Sequence, residues 1–228
     1  MKLIIAGLGP GSPDLVTRKA LNEASSSDVI IVPRSHGDSQ GLAEKILLEN
    51  LPASRLQHFT IPMTYDGKLR DRVILEQLEA SRPQWERAHK VFFPVIGDSM
   101  LYSSGAYLLD VWRKILPDLE AEFVPGVSAH SLAASCAQKF LAMRGEIFSV
   151  IPGTADHEKI RTALDACDSA AIYKPTALKN LPDLVKDFAH IIRVDFAGIP
   201  ERERIIEGEE ALCNINEYLS VILLWKNS

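Results

Sequence analysis

The segment LIIAGLGPGSP at Leu3–Pro13 decides the fold, because an apolar strand pattern ends there in a glycine-rich loop. Two further segments repeat this arrangement, VFFPVIGDS at Val91–Ser99 and EFVPGVSA at Glu122–Ala129. In an open α/β sheet, the loops at the carboxyl ends of the strands form the edge that binds ligands. Glycine in all three loops lets the backbone approach a small molecule closely. The three segments therefore predict a ligand pocket at one edge of a sheet.

Strand and helix patterns alternate through the first half of the chain, which predicts a parallel sheet with crossover helices. The second half is richer in strand patterns. Its last two, Arg204–Glu207 and Tyr218–Trp225, are close enough in sequence to predict an antiparallel pair. We place the domain boundary so that residues 1–143 form an α/β domain with the glycine-rich loops. Residues 144–228 then form a second α/β domain with a mixed sheet.

Composition and charge argue against several classes of function. Of the 228 residues 46% are hydrophobic, and the formal net charge is −5, so the chain lacks the basic footprint of a nucleic-acid-binding protein. The apolar runs LIIA and YLSVILLW are too short for a secretory signal or a membrane span. Three scattered cysteines favour a reducing compartment over a disulfide framework. We expect a cytoplasmic protein with no nucleic-acid or membrane partner and, since no spaced Cys/His set occurs, no metal.

The first loop is similar to the dinucleotide motif GxGxxG, but the match is imperfect. Ser12 replaces the third glycine, and Pro10 removes a loop N–H group. The acidic residue expected at the end of the second strand is missing. Arg34 stands there instead and is suited to a 2′-phosphate, so an NADP-dependent oxidoreductase stays open as an alternative.

The other two loops each allow two interpretations. Asp98 either caps the helix that follows it or places a carboxylate at the ligand edge, where it accepts hydrogen bonds or takes a proton. The turn Pro125–Ser128 is either a plain turn with a serine cap or a loop whose backbone amides point at the same cleft. His130 follows that turn and is notable by position alone.

Taken in order, these motifs resemble the tetrapyrrole (corrin/porphyrin) methylase family. The resemblance extends along the chain through GLGPGSPDLVTRKALNEASSSDVIIVP, GDSMLYSSGAYLL, VPGVSAHSLAAS, FAGIPERERIIEG and YLSVILLW. The segment IPMTYD at Ile61–Asp66 is similar to the precorrin-2 C20-methyltransferase branch of the cobalamin pathway. Two positions depart from the family pattern: Ser99 replaces the proline of a GDP loop, and Tyr65 stands where an arginine is usual.

The resemblance implies a two-domain α/β fold, a homodimer, and S-adenosylmethionine bound in a cleft that the second domain completes. It also implies methylation of precorrin-2 or cobalt-precorrin-2 at C20. The family's cofactor-binding positions fall on Pro10, Ile96, Gly97, Asp98, Leu101, Ser103, Ser128, Ala129, Tyr173, Lys174, Ala197 and Gly198. Asp98 is also the candidate catalytic residue, as cofactor anchor or proton relay.

Five residues are candidates for contact with the tetrapyrrole: Met63, Thr64, Tyr65, Arg34 and Arg144. The two arginines are included because the carboxylates of the substrate need cationic partners. The altered GDS loop leaves a second alternative open, a tetrapyrrole- or nucleotide-binding module without catalytic activity.

Overall fold

The computed structural model of the chain describes residues 1–34, 40–49, 51–62, 64 and 66–226. Contacts divide the chain into two compact units, Met1–Ser128 and Ala129–Ser228. This division falls ahead of the predicted boundary at residue 143, because the helix that begins at Ala129 packs on the sheet of the second unit. None of the helices in these described ranges is long and apolar enough to cross a membrane.

The first unit is built on a parallel sheet. Its strands are β1 (Lys2–Gly7), β2 (Val29–Arg34), β3 (Leu56–Thr60), β4 (Lys90–Val95) and β5 (Glu120–Val124). They lie in the order β3-β2-β4-β1-β5, and every pairing is parallel. This confirms the parallel sheet predicted from the sequence. Strand β3, LQHFT, was not predicted, because it is an edge strand with only Phe59 buried and so lacks an apolar pattern.

Helices cover both faces of this sheet. They are α1 (Arg18–Ser26), α2 (Leu42–Leu48), α3 (Gly67–Ala80), α4 (Arg82–Trp85) and α5 (Gly105–Ile115). Alternate residues of β1 point to opposite faces. Leu3 and Ile5 join the core under α3 and α5, whereas Ile4 and Ala6 join the core under α1 and α2. Burial on both faces explains why the β1 sequence is continuously apolar.

The second unit is built on a mixed sheet. Its strands are β6 (Phe148–Pro152), β7 (Ser169–Tyr173), β8 (His190–Asp195), β9 (Arg204–Glu207) and β10 (Ser220–Trp225). Its helices are α6 (Ala129–Cys136), α7 (His157–Asp165) and α8 (Leu181–Val185). The strand order is β6-β7-β10-β8-β9, with β6 and β7 parallel and the other pairs antiparallel. The mixed sheet predicted for this half is confirmed.

The predicted pairing of the last two strands is wrong. Strand β10 lies between β7 and β8, and β9 pairs with β8 instead. The burial of the strands gives the physical reason. All six residues of β10 are buried, which requires a central position, whereas β9 is mostly exposed and suits an edge.

An ion-pair cluster joins β1, β5 and α1 and makes stability depend on pH. Glu122 accepts from Lys19 at 2.6 Å and from Lys2 at 2.5 Å. The hydrogen bonds from Lys19 and Lys2 hold the pKa of Glu122 at about 2, below its ordinary 4.5. A depressed carboxyl pKa stabilises the fold fully above the ordinary value, and this contribution is lost as pH falls through the folded value.

We therefore expect Glu122→Gln to unfold at lower urea concentration than the wild type at neutral pH. The difference should shrink as pH falls from about 4.5 to about 2, because the wild-type carboxylate then becomes protonated. It should also shrink with added salt, since the pairs are partly exposed. Urea unfolding over this pH range measures it, and a difference that does not vary with pH would contradict the assignment.

Candidate functional site

The loops that follow β1 and β4 are joined by backbone hydrogen bonds. Gly9 N donates to Gly97 O at 3.2 Å, and Gly97 N donates to Gly9 O at 2.8 Å. Because β4, β1 and β5 are neighbours in the sheet, their three glycine-rich loops leave it side by side. The predicted gathering of these loops at one sheet edge is confirmed.

Three glycines make this gathering possible by direct backbone contact. A Cβ atom at Gly7 would lie 2.5 Å from Gly97 O and 2.7 Å from Gly126 N. A Cβ atom at Gly126 would lie 2.8 Å from Gly7 O. Gly97 differs from the other two: its φ is +78°, and a Cβ there would enter open space. The loops therefore pack without side chains at Gly7 and Gly126, whereas at Gly97, which is itself buried, a gap lies where a Cβ would stand.

Asp98 ties the second loop to the third. Its Oδ1 accepts from Met100 N at 2.7 Å, and its Oδ2 accepts from Gly126 N at 3.1 Å. The interpretation of Asp98 as the cap of the next helix is wrong, because α5 begins only at Gly105, whose N–H donates to Ser103 Oγ at 3.1 Å. Both carboxylate oxygens of Asp98 thus serve the local loop structure.

The remaining predicted positions of the first unit flank these contacts. Pro10 is buried beside Gly9, whereas Leu101 and Ser128 are half-buried. Ile96 packs partly against the core under α1 and α2. Ser99 is 3% exposed, and its Oγ has no hydrogen-bond partner among the described residues. The departure from the GDP pattern therefore lies in the interior of the loop.

In the second unit, α6 meets the end of β7. The backbone N of His130 donates to the Tyr173 hydroxyl at 3.1 Å, and His130 Nδ1 lies 2.9 Å from the same oxygen. Lys174 follows with φ +54°, in the left-handed region. The structure thus brings the predicted positions Ala129 and Tyr173 close together through His130, which sequence analysis noted only by its position.

The turn after β8 carries the predicted positions Ala197 and Gly198. Gly198 N donates to the Glu203 carboxylate at 2.7 Å, and Cys136 Sγ of α6 donates to the same oxygen at 3.2 Å. Burial and the Glu203 carboxylate together raise the pKa of the Cys136 thiol to about 11, so the thiol is a donor at neutral pH. Sequence analysis missed Glu203, although its spacing after Gly198 in FAGIPERE was available as a signal.

The structure places Arg34 in a strong internal ion pair. Its guanidinium contacts both oxygens of Glu44 at 2.9–3.1 Å, and His58 Nε2 lies 3.1 Å from Glu44 Oε1. Burial alone would raise the pKa of Glu44, but the hydrogen bonds from Arg34 and the nearby His58 hold it below its ordinary value. A substrate carboxylate would therefore have to compete with Glu44 for Arg34.

Two of the other substrate candidates, Thr64 and Arg144, lie among the described residues. Thr64 Oγ1 accepts from Asp66 N at 3.1 Å, within the turn that begins α3. Met63 and Tyr65 lie outside the described residues. Arg144 is exposed beside an open cavity of about 370 Å³ that is also lined by Glu146 and Asp168. The two acids make this cavity a poor match for a polyanion.

Comparisons with known proteins agree on one family. The family model described as Tetrapyrrole (Corrin/Porphyrin) Methylases matches residues 2–211. The cobalt-precorrin-2 C(20)-methyltransferase of Salmonella typhimurium is 33% identical over 176 residues, covering 76% of this chain and 72% of the relative. The probable cobalt-precorrin-2 C(20)-methyltransferase of Methanocaldococcus jannaschii is 27% identical, covering 98% and 95% of the two chains.

A solved structure supports the fold over the whole chain. The uroporphyrin-III C-methyltransferase of Thermus thermophilus, complexed with S-adenosylhomocysteine, superposes with a TM-score of 0.69. It is 20% identical, and the superposition covers 99% of this chain and 98% of that one. At 20% identity, this similarity is evidence for the fold alone.

Close backbone packing at Gly126 predicts a strong and local effect of substitution. We expect Gly126→Ala to lose about 2 kcal/mol of unfolding free energy, because the new Cβ meets backbone atoms that cannot move cheaply. Gly145→Ala is the matched control, since a Cβ there meets nothing within 4 Å; its effect should stay within about 0.5 kcal/mol. Equal unfolding midpoints in urea for the two variants would contradict the packing argument.

Proposed function

The chain belongs to the tetrapyrrole (corrin/porphyrin) methylase family, and on that premise we propose that it is an S-adenosylmethionine-dependent C-methyltransferase of cobalamin biosynthesis. We propose precorrin-2 or cobalt-precorrin-2 as the substrate and C20 as the methylated carbon. The observation that carries this assignment is the 33% identical relative named for the C20 reaction, supported by a second that matches nearly the whole chain.

The first unit fits such a cofactor. Three loops meet through glycine backbone, and the gap beside Gly97, where a Cβ would stand, is the feature that we expect to allow close approach of a small molecule. When bound, S-adenosylmethionine supplies an electrophilic methyl group. We propose that the loops at Pro10, Ile96–Ser103 and Ser128 bind it. Ala129, Tyr173, Lys174, Ala197 and Gly198 are the proposed contributions of the second unit.

The chain's part in the reaction is chiefly positioning. The carbon that is methylated is itself electron-rich, so the reaction needs no protein nucleophile, and holding two reactants in line accounts for large accelerations. The reaction also releases one proton. Asp98 stays our candidate for cofactor anchoring and proton relay, and its contacts to Met100 and Gly126 add a third role, that of organising the loops.

The NADP alternative has lost support, whereas the alternative of a binding module without activity stays open. Arg34 was the residue that left NADP open, and it is engaged by Glu44. The serine of the GDS loop, which suggested a module without activity, is buried. We further propose a homodimer, as the resemblance implies, and a cytoplasmic location, which agrees with three free cysteines.

Asp98→Asn tests how the second and third loops depend on the carboxylate. An asparagine side chain replaces one of the two acceptor oxygens with an NH2 donor, so one of the two N–H groups, Met100 N or Gly126 N, loses its acceptor. We expect a lower melting temperature together with weaker binding of S-adenosylhomocysteine in calorimetry. A lower melting temperature with unchanged binding and turnover would mean that Asp98 serves the loop structure alone.

The position of the new methyl group tests the function directly. We expect incubation with precorrin-2 or cobalt-precorrin-2 and methyl-¹³C-labelled S-adenosylmethionine to give one new methyl carbon, at C20, in the ¹³C NMR spectrum of the product. S-adenosylhomocysteine should bind in the micromolar range, or about −8 kcal/mol. Wild-type protein without substrate is the control for exchange of label.

Other outcomes of these experiments distinguish an error in the branch from an error in the family or in the type of activity. A new methyl group at a ring carbon such as C11 or C17 would overturn the C20 branch and leave the family in place. Binding of S-adenosylhomocysteine without transfer to either substrate would favour the binding module. Binding of NADPH in place of S-adenosylhomocysteine would favour the oxidoreductase.

A further inference from the structure

The turn Phe196–Glu203 has left-handed backbone at two positions. Phe196 has φ +53°, and Gly198 has φ +79°. The left-handed region is costly for a side-chain-bearing residue such as Phe196. Glycine adopts this region freely, so the strain lies at Phe196, and a strained residue persists only when surrounding contacts hold it. The contacts that hold this turn therefore decide where Ala197 and Gly198 lie.

The turn is held to the segment before β10 by the hydrogen bond from Phe196 N to Leu219 O at 2.8 Å, and one carboxylate oxygen links it to helix α6. Glu203 Oε2 accepts from Gly198 N at 2.7 Å and from Cys136 Sγ at 3.2 Å. Cys136 is the last residue of α6. Hydrogen bonds to an ionised acceptor are stronger than those between neutral groups. Glu203 thus binds the turn after β8 to the end of α6.

Helix α6 is itself held at its other end. His130, in its first turn, contacts the Tyr173 hydroxyl through both its backbone N and its Nδ1. Between the two ends, Ala133 and Ala134 are buried in the same cluster as Val194 and Val221 of the sheet. The helix therefore connects both second-unit segments proposed to bind the cofactor, one through Tyr173 and the other through Glu203.

Other side chains of the turn do not replace this contact. Arg202 places its guanidinium 3.6 Å from the centre of the Phe196 ring and 3.9 Å from Glu217 Oε2. Glu201 is exposed and makes no hydrogen bond or ion pair with the described residues. Of the two acidic residues of this turn, Glu201 and Glu203, it is Glu203 that contacts Gly198.

We propose that Glu203 is a positioning residue for cofactor binding, which holds the Ala197–Gly198 segment against α6. The inference rests on the proposed function, since it assumes that this segment binds S-adenosylmethionine. Glu203 orders the backbone and is not required to contact the cofactor.

The test compares Glu203→Ala and Glu203→Gln with Glu201→Ala as the matched control on the same turn. Amide hydrogen exchange at Gly198 without ligand reports the contact itself. It should become about tenfold faster or more in Glu203→Ala, because the N–H group loses its charged acceptor. Glu203→Gln keeps an acceptor oxygen and should fall between wild type and Glu203→Ala. Glu201→Ala should match the wild type.

Calorimetry with S-adenosylhomocysteine then reports the consequence for binding. We expect the dissociation constant to rise about 10- to 100-fold in Glu203→Ala and less in Glu203→Gln, with Glu201→Ala unchanged. In turnover assays KM for S-adenosylmethionine should rise while kcat changes less than KM does, since the residue acts on binding geometry. A merely structural role would lower the melting temperature without moving the dissociation constant or KM.

Each contrary result has a distinct meaning. A folded Glu203→Ala that binds S-adenosylhomocysteine as the wild type does would overturn the inference and leave the proposed function standing. If Glu203→Ala does not fold, wild-type values of Gly198 exchange and affinity in Glu203→Gln would overturn it. Wild-type protein that does not bind S-adenosylhomocysteine would overturn the proposed function and this inference together.

Discussion

The first unit depends on direct backbone contact among Gly7, Gly97 and Gly126. Neighbouring strands of a sheet are about 4.8 Å apart, and loops that leave three adjacent strands would normally be separated by their side chains. With hydrogen atoms in place of Cβ atoms at Gly7 and Gly126, Gly97 O can lie against both of these glycines. The positions of Pro10, Asp98 and the turn before α6 follow from that approach.

This constraint also explains the role of Asp98. Once Gly126 lies beside the second loop, its N–H group points at a carboxylate that already accepts from Met100. The carboxylate satisfies two backbone donors, Met100 N in an exposed contact and Gly126 N in a half-buried one. The close packing of the glycines and the hydrogen bonds of Asp98 therefore stabilise the same loop arrangement.

In the second unit, side chains rather than bare glycine backbone hold the turns in place. Two of its turns bear left-handed residues, Lys174 after β7 and Phe196 after β8. Helix α6 reaches both, through His130 to Tyr173 and through Cys136 to Glu203. Its small residues allow it to lie close on the sheet, and β10, buried along its whole length, supplies the apolar surface beneath. The conformations of the two turns are thus coupled through one helix.

Electrostatics narrows the choice of groups that could recognise a polyanionic tetrapyrrole. Arg34 forms a bidentate pair with Glu44, which is 6% exposed, so withdrawing Arg34 would leave a buried carboxylate without its main partner. Arg144 makes no ion pair with the residues that the structure describes, and Glu146 and Asp168 line the same cavity. The sequence by itself determined the alternation of strands and helices, the parallel first sheet and the three glycine-rich loops, because periodicity and glycine placement are local properties of the chain. Only the tertiary structure decided that β10 enters the sheet between β7 and β8, that Asp98 serves Gly126 rather than a helix, and that Glu203 meets Cys136. Each of these depends on groups far apart in the chain, whose meeting is set by burial and by the sharing of hydrogen-bond donors rather than by any local pattern.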